Sequence, residues 1–303
     1  TQFRDYLACP FRFFLKHILK MARTGEKTEL DALDFGTAIH AILEGFSANP
    51  KINGSTDPVL IEKYLTGMLA DYFQGNYGNN NSFPILYAHA IAKQRLQAFA
   101  EHQAQSSSEG WEIVERELAC HLTISGMKVV GKIDRVDKKR NEERMRIIDY
   151  KTSDSAENPA KQHIRESRKE IPDYARLPNA ENKRWNDLQL PLYRHMFKNM
   201  PLGKECKEVE LCYFNLPKAI SNSGLAVWEN FTQEIAESAC KTAEKIIGRI
   251  KQGIFWPPAD SVKYDDFESL FNEDMRDYFD GDMLEAFMKE NLNPKHEIRN
   301  NLK

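Results

Sequence analysis

Two consecutive segments, 127–137 and 144–151, constrain the fold of this chain most strongly. Both alternate in polarity and are rich in aliphatic residues, and the short linker between them is rich in Arg, Asn and Glu. This pattern predicts two antiparallel strands joined by a hairpin. Because side chains alternate along a strand, Asp149 and Lys151 should share one face of the second strand, and the pairing should bring Asp134 near Asp149. Charged groups so close to a hydrophobic core require a physical reason.

A third feature, Gly36-xxx-His40, lies in segment 33–46, whose apolar residues recur at helical spacing. A histidine on such a helix is by default structural, and an Asp and a Lys two residues apart are by default a solvated strand face. Together, however, an imidazole, isolated carboxylates and a lysine are the groups that hydrolysis of a phosphodiester requires. Carboxylates hold a divalent cation, and an ammonium offsets the negative charge that develops. The combination therefore indicates a divalent-metal phosphodiesterase site.

These motifs belong to a longer ordered set, which also contains Tyr6-Leu-Ala-Cys9-Pro10 near the start and Gln189-Leu-Pro-Leu-Tyr193. In order and spacing the set resembles the PD-(D/E)xK nucleases of the RecB and AddB type, over about residues 3–258. The resemblance implies an α/β fold. A central mixed β-sheet of about five strands, flanked by helices, would form a restriction-endonuclease-like core with a helical N-terminal cap.

The resemblance also implies roles for individual residues. His40, Asp134, Asp149 and the backbone carbonyl of Tyr150 would be ligands of Mg²⁺ or Mn²⁺, and Lys151 would be the catalytic lysine. A histidine ligand slightly favours manganese. Asp134 and Asp149 therefore count both as metal ligands and as catalytic residues.

Three further residues are candidates for this site. Gln189 and Tyr193, one helical turn apart, would face the same cleft and bind the substrate. An amphipathic helix that buries Leu190 and Leu192 is the alternative, and it explains the leucines but not Gln189. Glu115 corresponds to an acidic position often seen on the first core strand.

One departure from the family pattern concerns iron–sulfur chemistry. Many members hold a cluster with the cysteine of the Tyr-xx-Cys-Pro motif and three cysteines close to the C-terminus. Cys9 is present, but residues 259–268, which follow Gly253-Ile-Phe-Trp-Pro257-Pro258, contain no cysteine. We therefore expect no iron–sulfur cluster, and expect Cys9 to be buried between the N-terminal and C-terminal helices. The other thiols, which are far apart in sequence and are interpreted as core residues, are Cys120, Cys206, Cys212 and Cys240.

The pattern along the chain suggests three regions. Residues 1–108 form a helical region that contributes His40, residues 109–258 form the nuclease core, and residues 259–303 form an acidic helical extension. The extension has eleven acidic and three basic residues between positions 260 and 290, so it should repel DNA. Residues 161–184 carry seven basic and four acidic residues. This stretch either contacts DNA or is a solvated loop.

Composition limits the cellular setting. Five cysteines with no disulfide-like spacing indicate a reducing compartment, and no apolar run approaches the roughly 20 residues that span a bilayer. We therefore expect a cytoplasmic protein without a membrane contact. Because the chain begins at Thr1 rather than Met, we interpret it as a fragment of a longer protein with a helicase-like or ATPase-like region upstream, or with a partner subunit.

The sequence thus predicts a Mg²⁺- or Mn²⁺-dependent deoxyribonuclease of the exonuclease type, which acts on DNA ends or single strands in recombination or repair. Two alternatives remain open. The first is a catalytically silent DNA-binding or scaffold module of a helicase–nuclease complex, which the intact Asp134, Asp149 and Lys151 argue against. The second is a nuclease that acts on RNA, because contacts to the sugar are made by residues that no motif identifies.

Overall fold

The structure, a computed structural model, describes residues 2–21, 32–78 and 82–259, together with Val262, Phe267 and Asp282. The chain forms two compact units. The sheet unit comprises residues 26–162 and 190–236, and the terminal unit comprises residues 1–25, 163–189 and 237–303. The acidic extension expected after residue 259 lies outside the described residues, apart from the three single positions named above.

The elements follow one another in this order. The first part is helical: α1 (Gln2–Ala8), α2 (Pro10–Phe13) with a π-helical turn (Phe14–Ile18), α3 (Ala32–Ser47), α4 (Pro58–Tyr77) and α5 (Phe83–Ser108). Three long strands follow: β1 (Trp111–Ile124), β2 (Met127–Lys139) and β3 (Arg144–Lys151). The remainder is mixed: α6 (Pro159–His163), β4 (Ile164–Glu166), β5 (Arg176–Leu177), β6 (Ala180–Trp185), α7 (Gln189–Lys198), α8 (Pro201–Lys204), β7 (Glu208–Asn215), a 3₁₀ turn (Ile220–Asn222), β8 (Gly224–Val227) and α9 (Gln233–Lys251).

The sheet unit is built on a five-stranded sheet in the order β1-β2-β3-β7-β8. The pair β3 and β7 is parallel, whereas the other neighbouring pairs are antiparallel. The central strand β3 is buried from Met145 to Tyr150, and its buried residues include the charged Arg146 and Asp149. The predicted α/β fold, with a mixed sheet of five strands flanked by helices, is confirmed.

Helices α3, α4 and α5 pack on this sheet. The apolar residues on one side of α3 recur at helical spacing and are buried, as the sequence pattern predicts. They form one hydrophobic core with α4, α5 and the inward side chains of β3 and β7, which include Ile39, Ile42, Leu43, Phe46, Leu65, Phe99, Ile148, Tyr150 and Phe214. Because Ile148 and Tyr150 point into this core, the alternating residues Asp149 and Lys151 point away from it.

The terminal unit contains a second, three-stranded sheet in the order β4-β6-β5. Its strands lie in the basic stretch 161–184, which therefore carries strand structure rather than a plain loop. Trp185 at the end of β6 is fully buried, and its indole N–H donates to Ser238 Oγ at 3.0 Å. Helices α1 and α2 belong to the same unit, where the Tyr6 hydroxyl donates to the carbonyl of Ile254 at 2.6 Å.

Cys9 lies between α1 and α2 and is fully buried. Its sulfur accepts the backbone N–H of Arg12 at 3.4 Å and that of Ala259 at 3.2 Å. The thiol therefore caps α2 and contacts the segment after Pro258. All five cysteines carry free thiols, and Cys120, Cys206 and Cys212 are buried as expected, while Cys240 is half-buried.

No helix among the described parts of the chain combines the length and the apolar character needed to cross a membrane.

Candidate metal centre

The site forms where helix α3 meets strands β2 and β3. His40, on α3, places Nδ1 3.5 Å from Asp134 Oδ2 and Nε2 3.2 Å from the carbonyl oxygen of Tyr150. Asp134, on β2, accepts the backbone N–H of Tyr150 at 2.9 Å. The regular pairing of β2 with β3 ends at Arg135 opposite Ile148, so the carboxylate takes an N–H beyond the end of the ladder. Three of the residues proposed from the sequence thus meet in one place.

A glycine permits the close approach of α3 to the end of β3. A Cβ atom added to Gly36 would lie 3.1 Å from Thr152 Oγ1. The same end of β3 is held by Arg95, whose Nη1 donates to the carbonyl of Thr152 at 2.6 Å. Gly36 lies one helical turn before His40, so the Gly36-xxx-His40 spacing brings the helix close to the strand and the imidazole to Asp134.

An additional carboxylate belongs to this cluster. Ligand atoms of His40, Glu117 and Asp134 all lie within 4.8 Å of one another, a separation that one metal ion could bridge. Glu117 is on β1, where it also forms an ion pair with Lys132. The structure brings Glu117, rather than Glu115, to His40 and Asp134. The role suggested for Glu115 from the sequence stays a prediction.

The backbone at Glu117 is unusual. Its φ of 45° lies in the left-handed region, which non-glycine residues rarely adopt. The pairing of β1 with β2 also shifts register between Ile113 and Glu115. Strained backbone tends to occur where a site requires it. Glu117 thus reaches the cluster from an irregular part of β1, and the period of the sequence does not reveal this irregularity.

Asp149 and Lys151 form a close pair beside the cluster. Lys151 Nζ lies 2.7 Å from Asp149 Oδ2 and 4.5 Å from the centroid of the Tyr213 ring. Burial is the largest single influence on Lys151 and opposes its charged form, but Asp149, Tyr213 and Glu157 together raise the pKa of Lys151. The lysine is therefore an ammonium at neutral pH. Tyr213, which lies opposite Asp149 in the parallel pair β3–β7, was not identified from the sequence.

The electrostatics of the cluster favour a bound cation. Burial, followed by the negative charge of Asp149, raises the pKa of Asp134 to about 8. Burial is also the main cause of the lowered pKa of His40, so the imidazole is neutral near pH 7. A neutral imidazole and crowded carboxylates in a poorly solvated place form a donor set that suits a divalent ion, because the ion removes the repulsion between the carboxylates.

A cavity of about 480 Å³ opens onto this cluster. It is lined by residues of α3, β1 and β2 and by the residue that follows β3, which include Thr37, His40, Glu44, Glu117, Asp134 and Thr152. The cavity thus gives a small ligand a route to the oxygen and nitrogen ligands.

The two remaining candidates, Gln189 and Tyr193, lie on α7. The Tyr193 ring packs against Gly131 of β2, where an added Cβ would lie 2.6 Å from the ring. Tyr193 therefore contacts β2 three residues before Asp134. Gln189 begins α7 and belongs to the terminal unit, where its backbone N–H donates to Asp187 Oδ1 at 3.0 Å. The proposed role of both residues in substrate binding stays a prediction.

A restriction-endonuclease-like sheet whose central strands carry carboxylates and a lysine places this chain in the structural class of the PD-(D/E)XK nucleases. The family description of the PD-(D/E)XK nuclease superfamily matches residues 1–284, and the chain belongs to that superfamily. Over 170 residues, half of this chain, it is 25% identical to a subunit of the ATP-dependent helicase/deoxyribonuclease of Carboxydothermus hydrogenoformans. The match covers 16% of that protein, so this chain corresponds to a small part of its relative.

Proposed function

We propose that this chain is a divalent-metal-dependent deoxyribonuclease of the exonuclease type. The observation that carries the proposal is the position of Asp134, which lies 3.5 Å from His40 Nδ1 and accepts the N–H of the residue between Asp149 and Lys151. That arrangement joins an imidazole, carboxylates and an ammonium at the ends of two neighbouring strands. Membership of a nuclease superfamily supports hydrolysis of phosphodiester bonds as the reaction.

The residues present fit Mg²⁺ or Mn²⁺. His40, Asp134, Asp149 and the carbonyl of Tyr150 would hold the ion, and Glu117 adds an oxygen ligand that the sequence motif does not contain. Hard oxygen ligands suit both ions, and one imidazole is compatible with Mn²⁺. When bound, such an ion lowers the pKa of a bound water and offsets charge on the phosphate.

Lys151 supplies a positive charge beside the proposed metal site. Its ammonium is held by Asp149 at 2.7 Å and by the face of the Tyr213 ring, so it is oriented before a substrate arrives. A fixed positive charge beside a scissile phosphate stabilises the additional negative charge of the transition state. We propose that Lys151 stabilises this charge or handles the proton of the attacking water.

The substrate and the partners are proposed from the relative. Its name describes part of an ATP-dependent helicase/deoxyribonuclease, so we propose DNA as the substrate and a helicase region or partner subunit as the source of single strands or ends. We propose recombination or repair as the process and the cytoplasm as the compartment. No described residue distinguishes the sugar of DNA from that of RNA, so both nucleic acids are needed as substrates in the assay.

The proposal is tested with purified protein and linear double-stranded DNA, single-stranded DNA and RNA. We expect degradation of DNA with Mg²⁺ or Mn²⁺ and none with EDTA. Lys151→Ala should abolish cleavage without changing the circular dichroism spectrum. Lys128→Ala is the matched control, because Lys128 is an exposed lysine on the neighbouring strand β2.

Each alternative has its own outcome in this assay. Cleavage that persists in Lys151→Ala would overturn the assignment of the site. DNA binding without cleavage under any metal condition would favour the silent scaffold module, and cleavage restricted to RNA would favour a ribonuclease.

A further inference from the structure

A second cavity is lined only by residues of the terminal unit, and none of them belongs to the candidate metal centre. Its volume is about 560 Å³, and residues of α1, α2, α9, the segment 169–174, Arg184 and the segment 257–259 line it. Ligand pockets for small molecules typically have volumes of about 300–1,000 Å³. The cavity is therefore large enough for one nucleotide-sized molecule.

Basic side chains surround this cavity. Lys169, Arg184, Lys245 and Arg249 line it, against two acidic residues, Glu170 and Asp173. An excess of positive charge in a concave, partly apolar site attracts an anion, because the low-dielectric walls strengthen the electrostatic interaction.

Three of these cations hydrogen-bond only to neutral oxygens. Arg184 donates to the carbonyl of Leu7, Lys245 donates to the carbonyl of Asp173 at 3.0 Å, and Arg249 Nε donates to the hydroxyl of Tyr6 at 2.9 Å. Within the described part of the chain, none of the three forms an ion pair with a carboxylate. Burial lowers the pKa of Arg184, as does the positive charge of Arg165. An anionic ligand would offset this positive charge.

The remaining walls are apolar and aromatic. Pro172, Pro257 and Pro258 line the cavity, as does Tyr174, whose ring lies 4.6 Å from the guanidinium of Arg249. A ligand for this site therefore has an anionic part and a flat or apolar part. A nucleotide has both, since its phosphate suits guanidinium and ammonium groups and its base suits aromatic and proline surfaces.

We propose that this cavity of the terminal unit binds a nucleoside phosphate, either as a free nucleotide or as one unit of a DNA strand. The existence of an anion site depends on the cavity and its cations alone. Its assignment to nucleotides rests on the proposed function, because a nuclease meets nucleotides as substrate and product.

Gly248 provides a specific way to test the cavity. It lies on α9 and lines the cavity, and a Cβ added to it would meet no atom within 4 Å. Gly248→Leu should therefore place a side chain in the cavity, and leucine is a better helix former than glycine. Lys245→Gln removes one exposed cation from the rim. Lys241→Gln is the matched control, because Lys241 is an exposed lysine one turn earlier on α9 that does not line the cavity.

Binding is measured in EDTA, so that no cleavage occurs. Thymidine 5′-monophosphate is titrated by calorimetry, with inorganic phosphate as a comparison, and a fluorescein-labelled oligothymidylate is followed by anisotropy. We expect Lys245→Gln to weaken binding by roughly 10-fold, as for removal of one charge-assisted hydrogen bond. Gly248→Leu should weaken it by at least as much, and Lys241→Gln should leave it unchanged.

The two probes distinguish the source of the ligand. If the cavity variants bind the monophosphate more weakly than the unsubstituted protein does, the ligand is a free nucleotide. If they bind only the oligonucleotide more weakly, the ligand is a DNA strand. For the strand, removing one cation that meets a phosphate should reduce the slope of log affinity against log salt by about 0.7. Equal affinities of all variants for both probes would overturn the proposal, as would binding of inorganic phosphate as tightly as of the nucleotide. Because Lys151→Ala should bind normally here, failure of the proposed nuclease activity is distinguishable from failure of this site.

Discussion

Glu117 and Asp134 face each other across strands β1 and β2. They lie between the paired residues Arg116–Arg135 and Leu118–Ile133, and their carboxylates and the imidazole of His40 have ligand atoms within 4.8 Å of one another. Two like charges directly opposite on a sheet are normally destabilising. A divalent cation between them would convert the repulsion into attraction, and this pair is therefore the centre of the proposed metal site.

Glu117→Gln tests that pair. The substitution keeps the size of the side chain and removes its charge, so we expect the affinity for Mn²⁺ to fall by about 10-fold or more, with a parallel loss of DNA cleavage at limiting metal. Isothermal titration with Mn²⁺ measures the affinity. Glu115→Gln, on the same strand, is the control and should bind Mn²⁺ as the unsubstituted protein does. Equal weakening in both variants, or in neither, would contradict the assignment of Glu117.

Tyr213 is expected to position Lys151, because the ammonium lies 4.5 Å from the centroid of its ring. Tyr213→Phe keeps the aromatic face and should retain nearly full cleavage. Tyr213→Leu removes it and should lower kcat by roughly 2- to 30-fold, which corresponds to a cation–π contact of about 0.5–2 kcal/mol, with little change in KM.

The two Tyr213 variants separate positioning from stability. Tyr213 is almost completely buried, so thermal melting must accompany the kinetics. If kcat per folded molecule is the same in both variants, the ring does not position Lys151.

The main sheet of five strands was predictable because the order and spacing of the motifs resemble those of a known family. The β2–β3 hairpin follows from two adjacent alternating segments, as the sequence predicts. The second sheet was not predicted. Its strands have two to six residues, and β6, with the sequence AENKRW, shows no regular alternation of apolar residues. Such strands depend on non-local pairing that sequence patterns do not show.

The same reasoning explains which site residues were found. His40, Asp134 and Tyr150 come together because each belongs to a regular element whose face is determined by its period. Glu117 was missed because a register shift and a φ of 45° interrupt the period of β1. Tyr213 was missed because its position depends on the parallel pairing of β3 with β7, which are separated by more than fifty residues of sequence.

Asp137 is expected to be essential for the stability of the sheet unit. It is fully buried and accepts from Arg135 Nε at 2.5 Å and from Arg146 Nε at 2.8 Å. Asp137→Ala would leave two buried guanidinium groups without a carboxylate, and we expect the free energy of unfolding to fall by about 3–5 kcal/mol. Urea denaturation measures it. The control is Glu112→Ala, which breaks the exposed pair with Arg140 and should cost less than about 1 kcal/mol.

Reactivity of the thiols should follow burial and pH. Burial raises the pKa of Cys120 to about 11, and it also raises the pKa of Cys212. At pH 8 both thiols are therefore protonated, and iodoacetamide should leave both unmodified in the folded protein. Cys240, which is half-buried, should react first. Labelling of Cys120 should increase as the pH rises towards 11.

Mass spectrometry of digested samples identifies the labelled cysteines, and a sample in denaturant, where all five react, is the reference. Labelling of Cys212 in the folded protein at the rate seen in denaturant would show that the core of the β3–β7 pair is open, contrary to its burial.

Anomalous diffraction from crystals soaked in Mn²⁺ tests the central claim most directly, because it locates the ion without any assumption about activity. We predict a single strong site among His40, Glu117, Asp134 and Asp149, at roughly the 2.1 Å distance of a small hard cation from its oxygen ligands. A manganese peak elsewhere, with His40 still in direct contact with Asp134, would contradict the proposed metal site.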